Sequence, residues 1–196
     1  MSNTSKRKAQ TKTLVLGAIL TALVIILQFM GTFIRFGPFQ ISLVLIPIVI
    51  GAATCGVGIG AWLGLVFGAV VLFNGDATAF MQIDPLGTVI TVLAKGVACG
   101  LTAGVVYKAL EKFNSYLAVI AAAIICPVVN TAVFLLGCFI FFFDAIAEWG
   151  ISAGFDNVIA YMFLGLVGGN FLVELASNVI LSPVITRILK FEKRQR

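Results

Sequence analysis

Residues 85–107 read PLGTVITVLAKGVACGLTAGVVY, and Lys95 is the one charged side chain among them. A helix of that length rises about 35 Å at 1.5 Å per residue, enough to cross the roughly 30 Å hydrocarbon core of a bilayer. Backbone groups in lipid must find partners within helices or a closed barrel. The run lacks the alternation of a barrel strand, so it predicts a transmembrane helix. The rest of the chain agrees. Of 196 residues, 61% are hydrophobic and 11% charged, too few charges to coat a soluble domain of this size.

Six such spans are expected, at about 11–33, 39–53, 56–73, 85–107, 115–143 and 157–188, in one transmembrane domain covering residues 1–196. Span two is short and contains Pro47, which predicts a broken or steeply placed helix. Span five contains Pro127 and is long enough to tilt or kink. The apolar run from Thr13 is too long for the core of a signal peptide and reads as the first span. Between spans five and six, Asp144, Glu148, Trp149 and Asp156 read as a loop.

Orientation follows from the basic residues. With both tails inside, the inner segments hold Lys6, Arg7, Lys8, Lys12, Lys108, Lys112, Arg187, Lys190, Lys193, Arg194 and Arg196, while the outer segments hold only Arg35. Asp76, Asp84, Asp144, Glu148 and Asp156 all fall outside. The expected fold is thus an all-α integral membrane protein, a six-transmembrane-helix bundle with both termini cytoplasmic. The basic excess lies mostly in the tails, where topology and anionic lipid headgroups account for it, so no nucleic acid partner is expected.

Gly60, Gly64 and Gly68 recur every fourth residue in span three, as do Gly96, Gly100 and Gly104 in span four. Small residues at that spacing let helices approach closely in lipid, which argues for a compact bundle. Cys55, Cys99, Cys126 and Cys138 form no CxxC pair and read as small buried hydrophobes. The chain has no histidine, HExxH, phosphate-binding lysine loop or GxGxxG. Histidine-based nucleophilic catalysis and ATP hydrolysis by this chain are therefore not expected, nor is a metal site or a cofactor.

Polar side chains inside the spans carry the functional signal. Lys95 lies near the middle of span four, where a charge costs roughly 2.5–3.5 kcal/mol on insertion scales. Asn170, Glu174 and Asn178 recur every four residues in span six and so share a face. Asn130 lies three residues after Pro127. Such groups mark a solute path by default; the alternative is an internal Lys95–Glu174 ion pair with amide hydrogen bonds. Arg35, Gly37 and Pro38 form a short first outer lid. The Asn74–Asp84 loop forms a second, and Trp149 and Phe155 sit in the third outer loop.

Span one opens Leu16-Gly17-Ala18-Ile19-Leu20-Thr21-Ala22, with Ala18 and Ala22 on one face. Span four begins Ile83-Asp84-Pro85-Leu86-Gly87, and span five contains Cys126-Pro127-Val128-Val129-Asn130-Thr131. With the six-span length and basic N-terminus, these stretches resemble the substrate-binding S components of energy-coupling-factor vitamin transporters. The resemblance implies a prokaryotic cell membrane, a transmembrane coupling subunit that docks on Ala18 and Ala22, and two cytoplasmic ATPases that hydrolyse ATP. It also implies a vitamin-like ligand near the outer face, in a site formed by spans four to six and capped by the outer loops. Lys95, Asn130, Asn170, Glu174 and Arg35 are the expected substrate-binding residues.

A central lysine favours an anionic group such as a carboxylate, for which pantothenate is a candidate. Riboflavin, folate and a thiamine precursor stay open, and a cationic solute would suit Glu174. Two further classes compete. A stand-alone ion-coupled carrier could use Glu174 as a titrating group, although no inverted repeat is evident. A lipid-acting membrane enzyme would need a convergent acid pair that the sequence does not offer.

Overall fold

The computed structural model describes the backbone of residues 3–33, 35, 36, 39, 40 and 43–194, and the side chains of residues 7, 10–31 and 43–189. In chain order the helices are α1 (Asn3–Phe33), α2 (Leu45–Cys55), α3 (Val57–Phe73), α4 (Thr78–Met81), α5 (Pro85–Leu110), α6 (Ser115–Phe141), α7 (Phe143–Ser152), α8 (Val158–Ala160) and α9 (Gly168–Arg194). A π-helical turn at Tyr161–Leu166 joins α8 to α9, and a two-residue antiparallel pairing of Arg35–Phe36 with Phe39–Gln40 follows α1. Four helices, α1, α5, α6 and α9, contain stretches long and apolar enough to cross a membrane. The other two expected spans are shorter apolar helices, α2 and α3.

Local chemistry sets the helix starts. The Asp84 carboxylate accepts a hydrogen bond from the Gly87 N–H at 3.0 Å, and Pro85 occupies the first helical position of α5. Asn114 caps α6 by accepting from the N–H groups of Tyr116 and Leu117. Each cap satisfies donors that have no partner in the first turn, for about 1 kcal/mol. Gly56, at φ 98°, is the whole joint between α2 and α3; that left-handed conformation is open to glycine at no steric cost.

Helix α2 is apolar on every side and lies at the centre, touching α1, α3, α5, α6 and α9. Its Leu45, Ile48 and Val49 are fully buried. The expected break at Pro47 does not occur. Pro47 is the third residue of α2, in the first turn, where its missing N–H would have had no carbonyl partner.

The two glycine series meet each other. Helices α3 and α5 run antiparallel, with Gly60 against Gly100, Gly64 against Gly96, and Gly68 against Val92. A Cβ on Gly60 would lie 2.6 Å from the Gly100 carbonyl oxygen, and one on Gly68 would lie 2.8 Å from that of Val92. On the other side of α3, the Trp62 indole donates to Thr21 Oγ1 at 3.2 Å and ties α3 to α1.

Three segments depart from the sequence reading. Span two starts at Leu45 rather than near residue 39. The expected loop after span five is largely helix α7, in which Asp144 and Glu148 are exposed while Ile146 and Gly150 are buried. Two acidic residues four apart lie on one helical face, so an amphipathic helix accommodates them as easily as a loop. Span six begins irregularly, through α8 and the π turn, before the continuous helix from Gly168.

Candidate functional site

A cavity of about 250 Å³ opens among α1, α3, α5, α6, α9 and the segment around α4. Lys95, Asn130, Asn170 and Glu174 all line it. Each comes from a different position along its helix. Lys95 is ten residues into α5, about 15 Å along the axis, and Glu174 is six residues into α9, about 9 Å. Asn130 lies eleven residues before the end of α6. Because α5 and α9 start where α6 ends, the three converge from the end of the bundle that carries α4, α7 and α8.

The lysine is held by rings. Lys95 Nζ lies 5.6 Å from the centroid of Phe67 on α3 and 5.0 Å from that of Phe134 on α6. Cation–π contacts of this kind contribute roughly 0.5–2 kcal/mol and leave the N–H donors of the ammonium unspent. The sequence also allowed an internal Lys95–Glu174 ion pair. Among the described residues Lys95 makes no such pair at bonding distance; Glu174 and, more weakly, Asp76 act on it through space. Phe134 belongs to a cluster built on Phe80 of α4. Phe80 meets Phe134, Phe142 and Trp149 edge-on, at centroid distances of 5.6, 5.0 and 5.5 Å. Phe80 thus carries the α4 segment onto α6 and α7 beside the cavity.

The polar wall lies on α6 and α9. Asn130 of α6 and Glu174 of α9 line it side by side with Asn170 and Thr131. Asn130 is 5% exposed, and its Oδ1 receives no hydrogen bond. A buried acceptor left unpaired costs about 1–3 kcal/mol. Asp76, on the approach to α4, accepts at 2.8 Å from both Gln28 of α1 and Asn74. Gln28 is buried, so this bond fastens the α4 segment to α1 from within.

Residues singled out from sequence fall into three groups. Lys95, Asn130, Asn170 and Glu174 gather on one cavity. Asn178, one turn beyond Glu174, does not join them. It is fully buried in helix packing and donates to the Glu174 backbone carbonyl at 2.9 Å. The Arg35 side chain lies outside the described residues. Ala18 and Ala22 are exposed on α1, on the side away from buried Leu20, Val24 and Gln28. Gln28, Asp76, Phe67 and Phe134 were missed. Gln28 had a visible signal, an amide inside an apolar span, but its partner is 48 positions away and only the fold brings them together.

A helical membrane bundle with a ring-lined cavity that polar side chains enter from its spans is the architecture of a solute-binding or transport protein. Over residues 12–186 the sequence matches the family described as ECF transporter, substrate-specific component. The chain belongs to that family. Its members are transport proteins rather than enzymes. No curated protein matches the chain.

Proposed function

We propose that this chain captures a small carboxylate-bearing micronutrient from outside a prokaryotic cell and hands it inward in an ATP-driven complex. One observation carries the reading. The intramembrane lysine of α5 and the amide–carboxylate wall of α6 and α9 border the same cavity, and among the described residues no ion pair consumes the lysine's donors. Lys95 binds the carboxylate, and Asn130, Asn170 and Glu174 bind the remainder. A cavity of about 250 Å³ is below the usual 300–1,000 Å³ of drug-sized sites, which favours a compact solute such as pantothenate over riboflavin or folate.

The topology that goes with this function is a single domain of six spans, α2 and α3 included, with both termini cytoplasmic. The asymmetry of basic residues supports it. The cavity then opens outward, beneath the α4 and α7 segments. ATP is hydrolysed by two cytoplasmic ATPases, and a transmembrane coupling subunit docks on the exposed Ala18–Ala22 strip of α1, where small side chains admit a foreign helix.

Mass spectrometry of the detergent-purified chain, followed by titration of the solute it carries, tests the proposal. Binding tighter than micromolar that Lys95→Ala abolishes is the expected result. Absence of any bound solute, together with no response to a vitamin panel, would sink the proposal. Glu174 on the cavity wall also suits a stand-alone ion-coupled carrier. Uptake by proteoliposomes containing this chain alone would favour that second reading.

A further inference from the structure

The π turn at Tyr161–Leu166 stands directly before the part of α9 that lines the cavity. Met162 and Val167 are five positions apart, yet both are buried in one apolar cluster with Phe142 and Ile146. At 3.6 residues per turn an α-helix would set them about 140° apart. It would also set Val158, packed on the same cluster, about 180° from Val167. A turn closed by i→i+5 hydrogen bonds takes up the surplus residue and brings them to one side. On the α8 side Tyr161 is anchored. Its ring meets Phe155 edge-on at 5.4 Å, and a Cβ on Gly165 would come within 2.6 Å of it. On the α9 side Leu166, Val167, Asn170, Phe171 and Glu174 line the cavity. Gly168 sits at the exit of the turn, where a Cβ would stand 2.8 Å from the Phe163 carbonyl oxygen, five residues back. That oxygen is backbone and cannot swing aside as a side chain would.

We infer that Gly168 is a positioning residue for solute binding: it admits the surplus residue of the π turn, and that residue sets the rotation of α9 at which Asn170 and Glu174 face the solute. The functional part rests on reading the cavity as the solute site. With the same sequence forced into an unbroken α-helix, one surplus residue turns α9 by about 100° relative to α8. Either Asn170 and Glu174 then leave the cavity, or Val158 and Met162 leave the cluster. Both cannot be kept. The surplus is carried where nothing packs, at exposed Phe163 and Leu164. Removing Leu164 therefore heals the helix without turning it. Met162 and Val167 then stand four apart, about 40° in an α-helix, so both faces keep their places. Gly168 then follows Phe163 by four residues, an ordinary helical position in which alanine is the best former.

The test uses the full-length chain in detergent and two readouts. The first is labelling of Asn170→Cys by a charged methanethiosulfonate reagent, measured above the unsubstituted chain, which reports the rotation of α9 without any solute. The second is binding of pantothenate or of the solute that co-purifies. Gly168→Ala should slow the labelling and weaken binding roughly tenfold or more, since Asn170 and Glu174 lose their contacts. Deletion of Leu164 should leave both readouts within about threefold of wild type. Gly168→Ala in the deletion background should then be harmless, a rescue that a merely space-filling glycine would not show. Unchanged labelling and binding in Gly168→Ala overturns the inference. So does lost labelling in a monodisperse chain lacking Leu164, and that arm decides the matter if Gly168→Ala alone does not fold. Labelling that follows the expected order while neither pantothenate nor a co-purified solute binds upholds the positioning of α9 and removes the solute reading alone.

Discussion

Helix α5 borders two regions built on opposite terms. Against α3, Gly96 and Gly100 bring backbone to backbone, and an added Cβ has no space. Towards α6 and α9 the same helix presents Lys95 to a cavity of about 250 Å³ that Asn130, Asn170 and Glu174 also line. In lipid, close packing is what holds helices together, because there is no hydrophobic drive between them. A polar hollow does the reverse, since it exposes groups that hydrocarbon cannot solvate. The seam therefore supplies stability that the cavity consumes, and substitutions on the two faces should separate stability from binding.

The largest effect is expected at the seam. Gly64→Leu drives a side chain into the Gly96 backbone, which cannot move aside. Overpacking against side chains costs about 1–3 kcal/mol, and here the loss should reach or exceed that range. The readout is recovery of monodisperse protein and its thermal midpoint. Gly58→Ala, where the added carbon meets nothing within 4 Å, should behave as wild type. If both variants behave alike, the seam is not what holds the bundle.

On the cavity face the signs should reverse. Lys95→Met should weaken solute binding about 10- to 100-fold, in keeping with a lost charge-assisted hydrogen bond. Its thermal midpoint should equal or exceed that of wild type, since a charge leaves the membrane interior. A clear drop in stability instead would make the ammonium structural. Phe134→Leu, which removes one ring from beside Lys95, should weaken binding by a few-fold, equivalent to about 1 kcal/mol.

Smaller effects distinguish the cavity from its surroundings. Gln28→Leu breaks the bond that fastens Asp76 to α1, and Asn74 remains as a partner. Solute release should accelerate a few-fold in stopped-flow dissociation, with stability changed by about 1 kcal/mol or less. Ala18→Leu should alter the isolated chain least, within about 0.5 kcal/mol, because the position is exposed. Solute binding should persist while co-purification with a coupling subunit is lost. Loss of binding by the isolated variant would break the separation between the outer face of α1 and the cavity.

Much of the cavity's polar lining was legible because of its cost. Lys95, Asn130, Asn170 and Glu174 stand out as polar groups in apolar spans, and residues of that kind require a reason. Asn178 met the same criterion and lies elsewhere. A four-residue repeat drifts about 40° per step around a helix of 3.6 residues per turn, so a shared face does not extend indefinitely. The aromatic seat of Lys95 was illegible for the opposite reason: Phe67 and Phe134 are two of 17 phenylalanines, and phenylalanine in a membrane span needs no explanation.

Composition alone determined the solvent, the helical class and the residues too polar to be lipid-facing, because hydrocarbon makes each of those statements a matter of large solvation energies. It could not decide which polar residues share a hollow, that Gln28 meets Asp76, or that residues 143–152 form a helix. Those outcomes depend on pair contacts and helix rotations whose energies are small and whose partners lie far apart in the chain. Only the packed bundle sets them.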